Sequence, residues 1–196
     1  MKARRLKNRC RLESHGNGVV VVDDPFKVLG LPRQFALNPT EIGLAQTRAL
    51  AVCHPDRQVE GVAREDAVHA SAQVNAATLV LMDPLKRADA LIAMGDLPGR
   101  VMPLSTTQLA ALMEQRDLMS VAVVSGLAHQ ELCEHWIQTE LESTLHQLRC
   151  GFEAPEISWQ GVRACVAYLR ALTRLSNEWA ALRADAEKGG SGCRLE

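Results

Sequence analysis

The chain has 196 residues, a formal net charge of −1, 47% apolar residues and only 4% aromatics. That length allows one domain or two small ones with a sizeable core, and two are expected here. The near-neutral charge gives no global pull toward nucleic acid or a membrane surface, no apolar run reaches the roughly 18 to 20 residues that span a bilayer, and no apolar signal segment opens the chain.

In chain order, "MKARRLKNRCRL" is basic without an acid, and "ESHGNG" breaks any helix after it. Residues 1–22 read as a flexible basic extension; the rival reading is a phosphate-touching arm of a helical nucleic-acid adaptor. In "DDPFKVLGLP", Asp24 caps a short helix, Pro25 takes its first position and Gly30 ends it. "LNPTEIGLAQTRALAVC" offers Asn38 as cap, Pro39 as first residue and Glu41 placed to reach back. Ile42, Leu44, Ala45, Ala49, Val52 and Cys53 form its expected buried stripe, and the helix stops at His54, the residue before Pro55. A third helix from Ala63 to about Met82 is expected to bury Val68, Ala72, Asn75, Ala76 and Leu79. Asp83 then caps a fourth, with Pro84 opening it and Gly95 closing it.

The Pro- and Gly-containing "DLPGRVMPL" reads as part of a linker, residues 96–104, which follows a first domain of residues 23–95. Three amphipathic helices follow within 105–188: Ser105 to about Val124, Ala128 to Cys150, and Ser158 to about Lys188. Leu132, Trp136, Ile137, Leu141, Leu145 and Leu148 recur at helical spacing, as do Val162, Val166, Leu169, Leu172, Leu175, Trp179 and Leu182. Three such stripes make an antiparallel bundle, and residues 189–196 read as a disordered tail. The fold class is all-α, in keeping with the abundance of Ala, Leu, Val and charged residues.

The segment "TRALAVCHPDRQVEG" presents His54, Pro55 and Asp56 together at a helix tip. Pro55 fixes its own φ and restricts His54, so the tip is stiff and loses little entropy on binding. Asp56 offers a carboxylate suited to a forked arginine contact. Such a tripeptide arises by chance in roughly one chain of this length in a hundred, so its setting between two antiparallel helices carries the weight.

The stretch resembles a J-domain, in which His-Pro-Asp joins two antiparallel helices, and more narrowly it resembles HscB, the J-protein of iron–sulfur cluster assembly. "DPFKVLGLP" is similar to that family's opening "D-x-F-x-L-F-G-L-P", and the interval from Leu31-Pro32 to His54 is long, as in HscB. "QVNAATLVLMDPLKRADALI" matches the family's later motif at Asn75, Ala76, Leu79, Pro84, Leu85, Arg87, Ala88 and Leu91. "LMEQRD" is similar to its "L-M-E-x-(M/L)-E" segment.

The resemblance implies a co-chaperone and not an enzyme. His54, Pro55 and Asp56, with Arg48 and Arg57 beside them, would contact an ATP-bound HscA/DnaK-type chaperone and stimulate its ATP hydrolysis. Leu112, Met113, Arg116 and Asp117 would hold the scaffold IscU, so two weak contacts on one chain act at high effective concentration. No cofactor and no metal are implied, and a cytoplasmic location with no membrane partner is expected. The alternatives are a J-protein with a different client, or the nucleic-acid adaptor above.

This chain departs from the family in two places. The helix before the tripeptide offers Arg48 alone where J-domains usually place several Lys or Arg, which implies slower association or a partner with altered charge. Arg116 stands where the family prefers Leu or Met, and "LMSVAV" replaces an acidic run. Leu112 and Met113 read equally as docking surface or bundle core. Asn75 and Arg87 read as structural, Asn75 between helices and Arg87 pairing an acid or capping a helix.

Cys10, Cys53, Cys133, Cys150, Cys165 and Cys193 include no C-x-x-C pair, against a disulfide framework or a Cys-paired zinc site and in favour of reduced thiols. Cys53 beside His54 lacks the orienting group and oxyanion site that a nucleophile needs. His129/Cys133 and His146/Cys150 each have the spacing of helical metal ligands, yet the outer residues lie about 30 Å apart along one helix, so the pairs cannot share an ion. The three tryptophans read as bundle packing and bundle-end anchors.

Overall fold

The structure, a computed structural model, describes residues 24–53, 62–95 and 102–190. These form α1 (Pro25–Leu29), α2 (Pro39–Cys53), α3 (Val62–Met82), α4 (Pro84–Gly95), α5 (Thr106–Ser125), α6 (Leu127–Glu153) and α7 (Trp159–Gly190). No strand occurs among the described residues, so the all-α expectation is borne out. The chain divides between Gly99 and Arg100 into two compact units. The basic extension 1–22, the tripeptide His54, Pro55 and Asp56 with Arg57, linker residues 96–101 and tail residues 191–196 lie outside the described residues.

In the first unit, Asp24 Oδ1 accepts the Phe26 and Lys27 amides, both at 3.1 Å, while its Oδ2 holds Arg33 Nη2 at 2.6 Å. One carboxylate therefore caps α1 and ties down the loop that leaves it. Gly30 ends α1 at φ 65°, a left-handed conformation that glycine adopts without a Cβ penalty, and its amide reaches back to the Lys27 carbonyl. Asn38 Oδ1 caps α2 by accepting the Thr40 amide at 2.9 Å, and Asp83 Oδ1 caps α4 by accepting the Leu85 amide at 2.9 Å. The reciprocal capping box forms at α5: Ser105 Oγ accepts the Gln108 amide while Gln108 Oε1 accepts the Ser105 amide.

Helices α2 and α3 pack antiparallel, because Gln46 Nε2 meets Asn75 Oδ1 at 3.1 Å while Ser71 Oγ reaches the Cys53 carbonyl at 3.1 Å. The core beneath them comprises Phe26, Leu29, Phe35, Ile42, Ala45, Val74, Ala77, Val80, Leu81, Ala88 and Leu91. Two stripes differ from expectation. Leu44 and Val52 are exposed on α2, and on α3 Val68, Asn75 and Leu79 face solvent while Ala67, Val74, Ala77 and Leu81 are buried. Helix α3 carries apolar residues all round and packs against α1, α2 and α4, so its neighbours choose the buried face. Arg87 lies inside, with its guanidinium donating to the carbonyls of Leu81 (2.8 Å), Phe35 (2.7 Å) and Leu37 (3.2 Å) and stacking 5.5 Å from the Phe35 ring centre. It is structural as expected: it satisfies the Leu81 carbonyl near the end of α3 and holds the loop between α1 and α2 through the Phe35 and Leu37 carbonyls.

In the second unit, Gly126 at φ 101° turns the chain from α5 into α6. Glu140 meets Tyr168, and Glu134 meets both Trp179 and Arg183, so α6 and α7 run antiparallel. Met119, Ala122, Cys133, Ile137, Leu175 and Trp179 form one buried cluster; Leu148, Val162, Val166, Leu169 and Leu172 are also buried. The α7 stripe thus lies where the spacing put it, except that Leu182 is partly exposed; on α6, Leu132 is exposed instead of buried. Trp159 meets Phe152 edge-to-face at 6.5 Å across the α6–α7 connection, an end anchor as expected. Helix α7 continues through Gly190, so Gly189 and Gly190, expected in the tail, are helical; extension of an existing helix needs no new nucleus.

Tyr168 is the chain's single tyrosine. Burial, then the Glu140 hydrogen bond and charge, push its phenol up from 10 to about 12. Because the folded value lies above the unfolded one, the phenol's contribution is complete below pH 10 and is lost as pH rises through about 12. Tyrosinate absorbance should accordingly titrate near 12 in the folded chain and near 10 in denaturant; equal midpoints would contradict the Tyr168–Glu140 contact.

Candidate functional surfaces

The first surface centres on the junction of α2 with the tripeptide. Helix α2 ends at Cys53, the residue bonded to His54, and its last carbonyl accepts the Ser71 hydroxyl from α3. This hydrogen bond satisfies one of the carbonyls that a helix C-terminus leaves open and pins the exit point of the chain to the partner helix. The Cys53 thiol donates to the Ala49 carbonyl at 3.2 Å within its own helix.

Of the residues expected to face a chaperone, Arg48 is described. It is exposed on α2 and lines a groove with Lys27 and Leu31 from the α1 side and Leu44 and Val52 from its own helix. That face is mixed rather than basic: Arg48 and Lys27 stand with Glu41 and the exposed aliphatic side chains of Leu44 and Val52. His54, Pro55, Asp56 and Arg57 lie outside the described residues, and the antiparallel helices that flank them are in place.

The second surface is on α5, and its four expected residues differ in exposure. Leu112 is half-buried against the bundle cluster, so its side chain belongs largely to the core. Met113 is 61% exposed, and Arg116 and Asp117 are exposed beside it. Arg116 Nη2 lies 3.0 Å from Glu178 Oε2, which spreads this face from α5 onto α7. Leu109, one turn before Met113, is also partly exposed and extends the apolar part of the surface. It escaped the sequence reading because it precedes the matched hexapeptide, although its spacing of four from Met113 was a usable signal.

Neither His/Cys pair assembles a metal centre: among the described residues no group of three or more His, Cys, Asp or Glu is placed to hold an ion. His146 Nε2 and Cys150 Sγ lie 3.6 Å apart on the surface of α6. Cys133 is buried, and that burial pushes its thiol up while a hydrogen bond with Gln115 partly opposes the shift. Burial likewise raises the Cys165 thiol. No described helix is long and apolar enough to cross a membrane.

No family model matches the chain. The HscB co-chaperone homologue of Bordetella pertussis is 32% identical over 100 residues, which is 50% of this chain and 59% of that protein. The homologue of Mannheimia succiniciproducens is 32% identical over 97 residues, 48% of this chain and 56% of that one. The Bordetella avium homologue is 27% identical over 132 residues, 66% of this chain and 77% of its own length. In the first two alignments the chain spans less than two thirds of the curated relative. Among solved structures, the chaperone HscB from Vibrio cholerae superposes with a TM-score of 0.73 at 22% identity, covering 83% of this chain and 99% of that one. Human co-chaperone HscB gives 0.72 at 16% identity, covering 81% of each. The resemblance read from the motifs is borne out, for the chain is similar in sequence to the HscB co-chaperones and has the HscB fold.

Proposed function

We propose that this chain is a cytoplasmic co-chaperone of iron–sulfur cluster assembly, acting by protein contact rather than by catalysis. The first unit is its J-domain: His54, Pro55, Asp56, Arg48 and Arg57 engage an ATP-bound HscA/DnaK-type chaperone and stimulate its hydrolysis. The second unit carries the client, an IscU-type scaffold, on the α5 face of Met113, Arg116 and Asp117, with Leu112 supporting that face from the core. ATP and cluster bind the partners.

The observation that carries this reading is the His-Pro-Asp sequence directly after α2, whose last carbonyl is fixed to the antiparallel α3, in a chain with the HscB fold. A tripeptide restricted by proline, directly after a braced helix end, binds at little entropic cost. The test is the steady-state ATPase rate of an HscA-type chaperone with this chain or with its His54→Gln variant. Stimulation by the wild type, lost in the variant, is expected; equal stimulation by both, or none from either, defeats the proposal.

Two observations favour a second reading, a J-protein with a different client. Leu112 is half-buried against the bundle cluster, and the family's acidic run is absent after Asp117. Capture of the scaffold by the wild-type chain but not by Met113→Glu supports IscU. Undiminished ATPase stimulation without scaffold capture supports the other client.

A further inference from the structure

Helices α5 and α6 enclose a groove of about 280 Å³. Leu118 on its wall lies two residues beyond Arg116, about 200° round the helix, while Val121 follows Asp117 by one turn, so the groove opens beside the face carrying Met113, Arg116 and Asp117. Its floor holds Gln115 and Cys133, both buried and hydrogen-bonded to each other. Its walls are Leu118 and Val121 from α5 and His129, Leu132 and Trp136 from α6. Leu118, Val121 and Leu132, together with Val124 and Leu127 beside the Gly126 turn, are between 52% and 83% exposed. No Asp, Glu, Lys or Arg lines the groove.

We infer that this groove is a self-association surface, filled by the same surface of a second copy of the chain. Five aliphatic side chains at these exposures leave apolar area on the order of 500 Å², at the upper end of what a monomer leaves uncovered. Two copies together would bury on the order of 1,000 Å², the low end for specific interfaces and the range of a weak, reversible dimer. The chemistry favours a like surface. A charged partner finds no carboxylate, ammonium or guanidinium along the walls, where His129 is the one imidazole, and a polar ligand finds a floor whose amide and thiol already bond to each other. An isologous contact about a two-fold axis would set the exposed Leu132 of each copy against the groove of the other.

The test is sedimentation velocity of the full chain from about 1 to about 200 μM, a range that brackets a dissociation constant near 10 μM. The weight-average sedimentation coefficient of the wild type should rise with concentration, and Trp136 should bring a blue shift in emission with it. Leu132→Glu and Val121→Glu should each raise the dissociation constant at least about tenfold. Both positions are exposed, so the folded bundle should tolerate the change; Leu132→Ser, a milder substitution, gives a second reading of the same wall. Leu109→Glu, which alters an exposed leucine elsewhere on α5, should leave the curve unchanged. A wild type that stays monomeric throughout, leaving the groove to a foreign partner or to the chain itself, overturns the inference. So does a dimer that the groove variants do not weaken, or one that Leu109→Glu weakens equally.

Discussion

Arg87→Ala should destabilise the first unit by about 3 kcal/mol or more, enough to unfold a marginal domain. The side chain is 6% exposed and bonds to three main-chain carbonyls. Its loss strands acceptors at Phe35 and Leu37, in the loop between α1 and α2, and at Leu81, near the end of α3. A buried acceptor without a partner costs about 1–3 kcal/mol, and the stacked Phe35 ring loses its cation as well. Arg87→Lys should recover only part of this, because an ammonium is a point donor and cannot span acceptors that a planar guanidinium bridges. Urea unfolding followed by circular dichroism measures both losses. A cost for Arg87→Ala below about 1 kcal/mol would mean that the loop finds its hydrogen bonds elsewhere.

Trp179→Ala should cost the second unit about 3–5 kcal/mol. The indole is 2% exposed, packs with Met119, Cys133, Ile137 and Leu175, and donates through Nε1 to Glu134 at 2.9 Å. Arg183 stacks 6.0 Å from its ring centre and also reaches Glu134 at 3.0 Å, so one carboxylate joins α6 to two successive turns of α7. Trp179→Phe separates the contributions: it keeps most of the packing and deletes the donor, and should cost about 1–2 kcal/mol. The Arg183–Glu134 ion pair is exposed and contributes little of this, so high salt should leave the wild-type midpoint nearly unchanged. A Phe variant as damaging as the Ala variant would shift the weight from packing to the hydrogen bond.

Much of the architecture was legible because it rests on local chemistry. Asp24, Asn38 and Asp83 cap the helices that the sequence assigned to them, since a short oxygen-bearing side chain before an amphipathic run can satisfy free amides wherever the helix lies. The α7 stripe was right because one helix lying across a bundle has a single apolar seam. The α3 stripe was wrong for the opposite reason: apolar residues surround that helix, and its phase follows from three neighbours that spacing alone does not reveal. Leu44, Val52 and Leu132 failed similarly, being apolar residues left at the surface.

At the candidate surfaces the division has the same origin. The tripeptide, its place directly after a helix and its likeness to J-proteins are properties of adjacent residues, readable without coordinates. Ser71 bracing the Cys53 carbonyl, Arg87 reaching a loop fifty residues away, Leu112 turning into the core and the apolar groove between α5 and α6 all depend on which helices meet. Capping and φ restriction act within one turn of chain and survive in the order of the letters. Burial and long-range hydrogen bonding are relations between segments, and they come into being only when packing selects one arrangement among the many the apolar pattern allows.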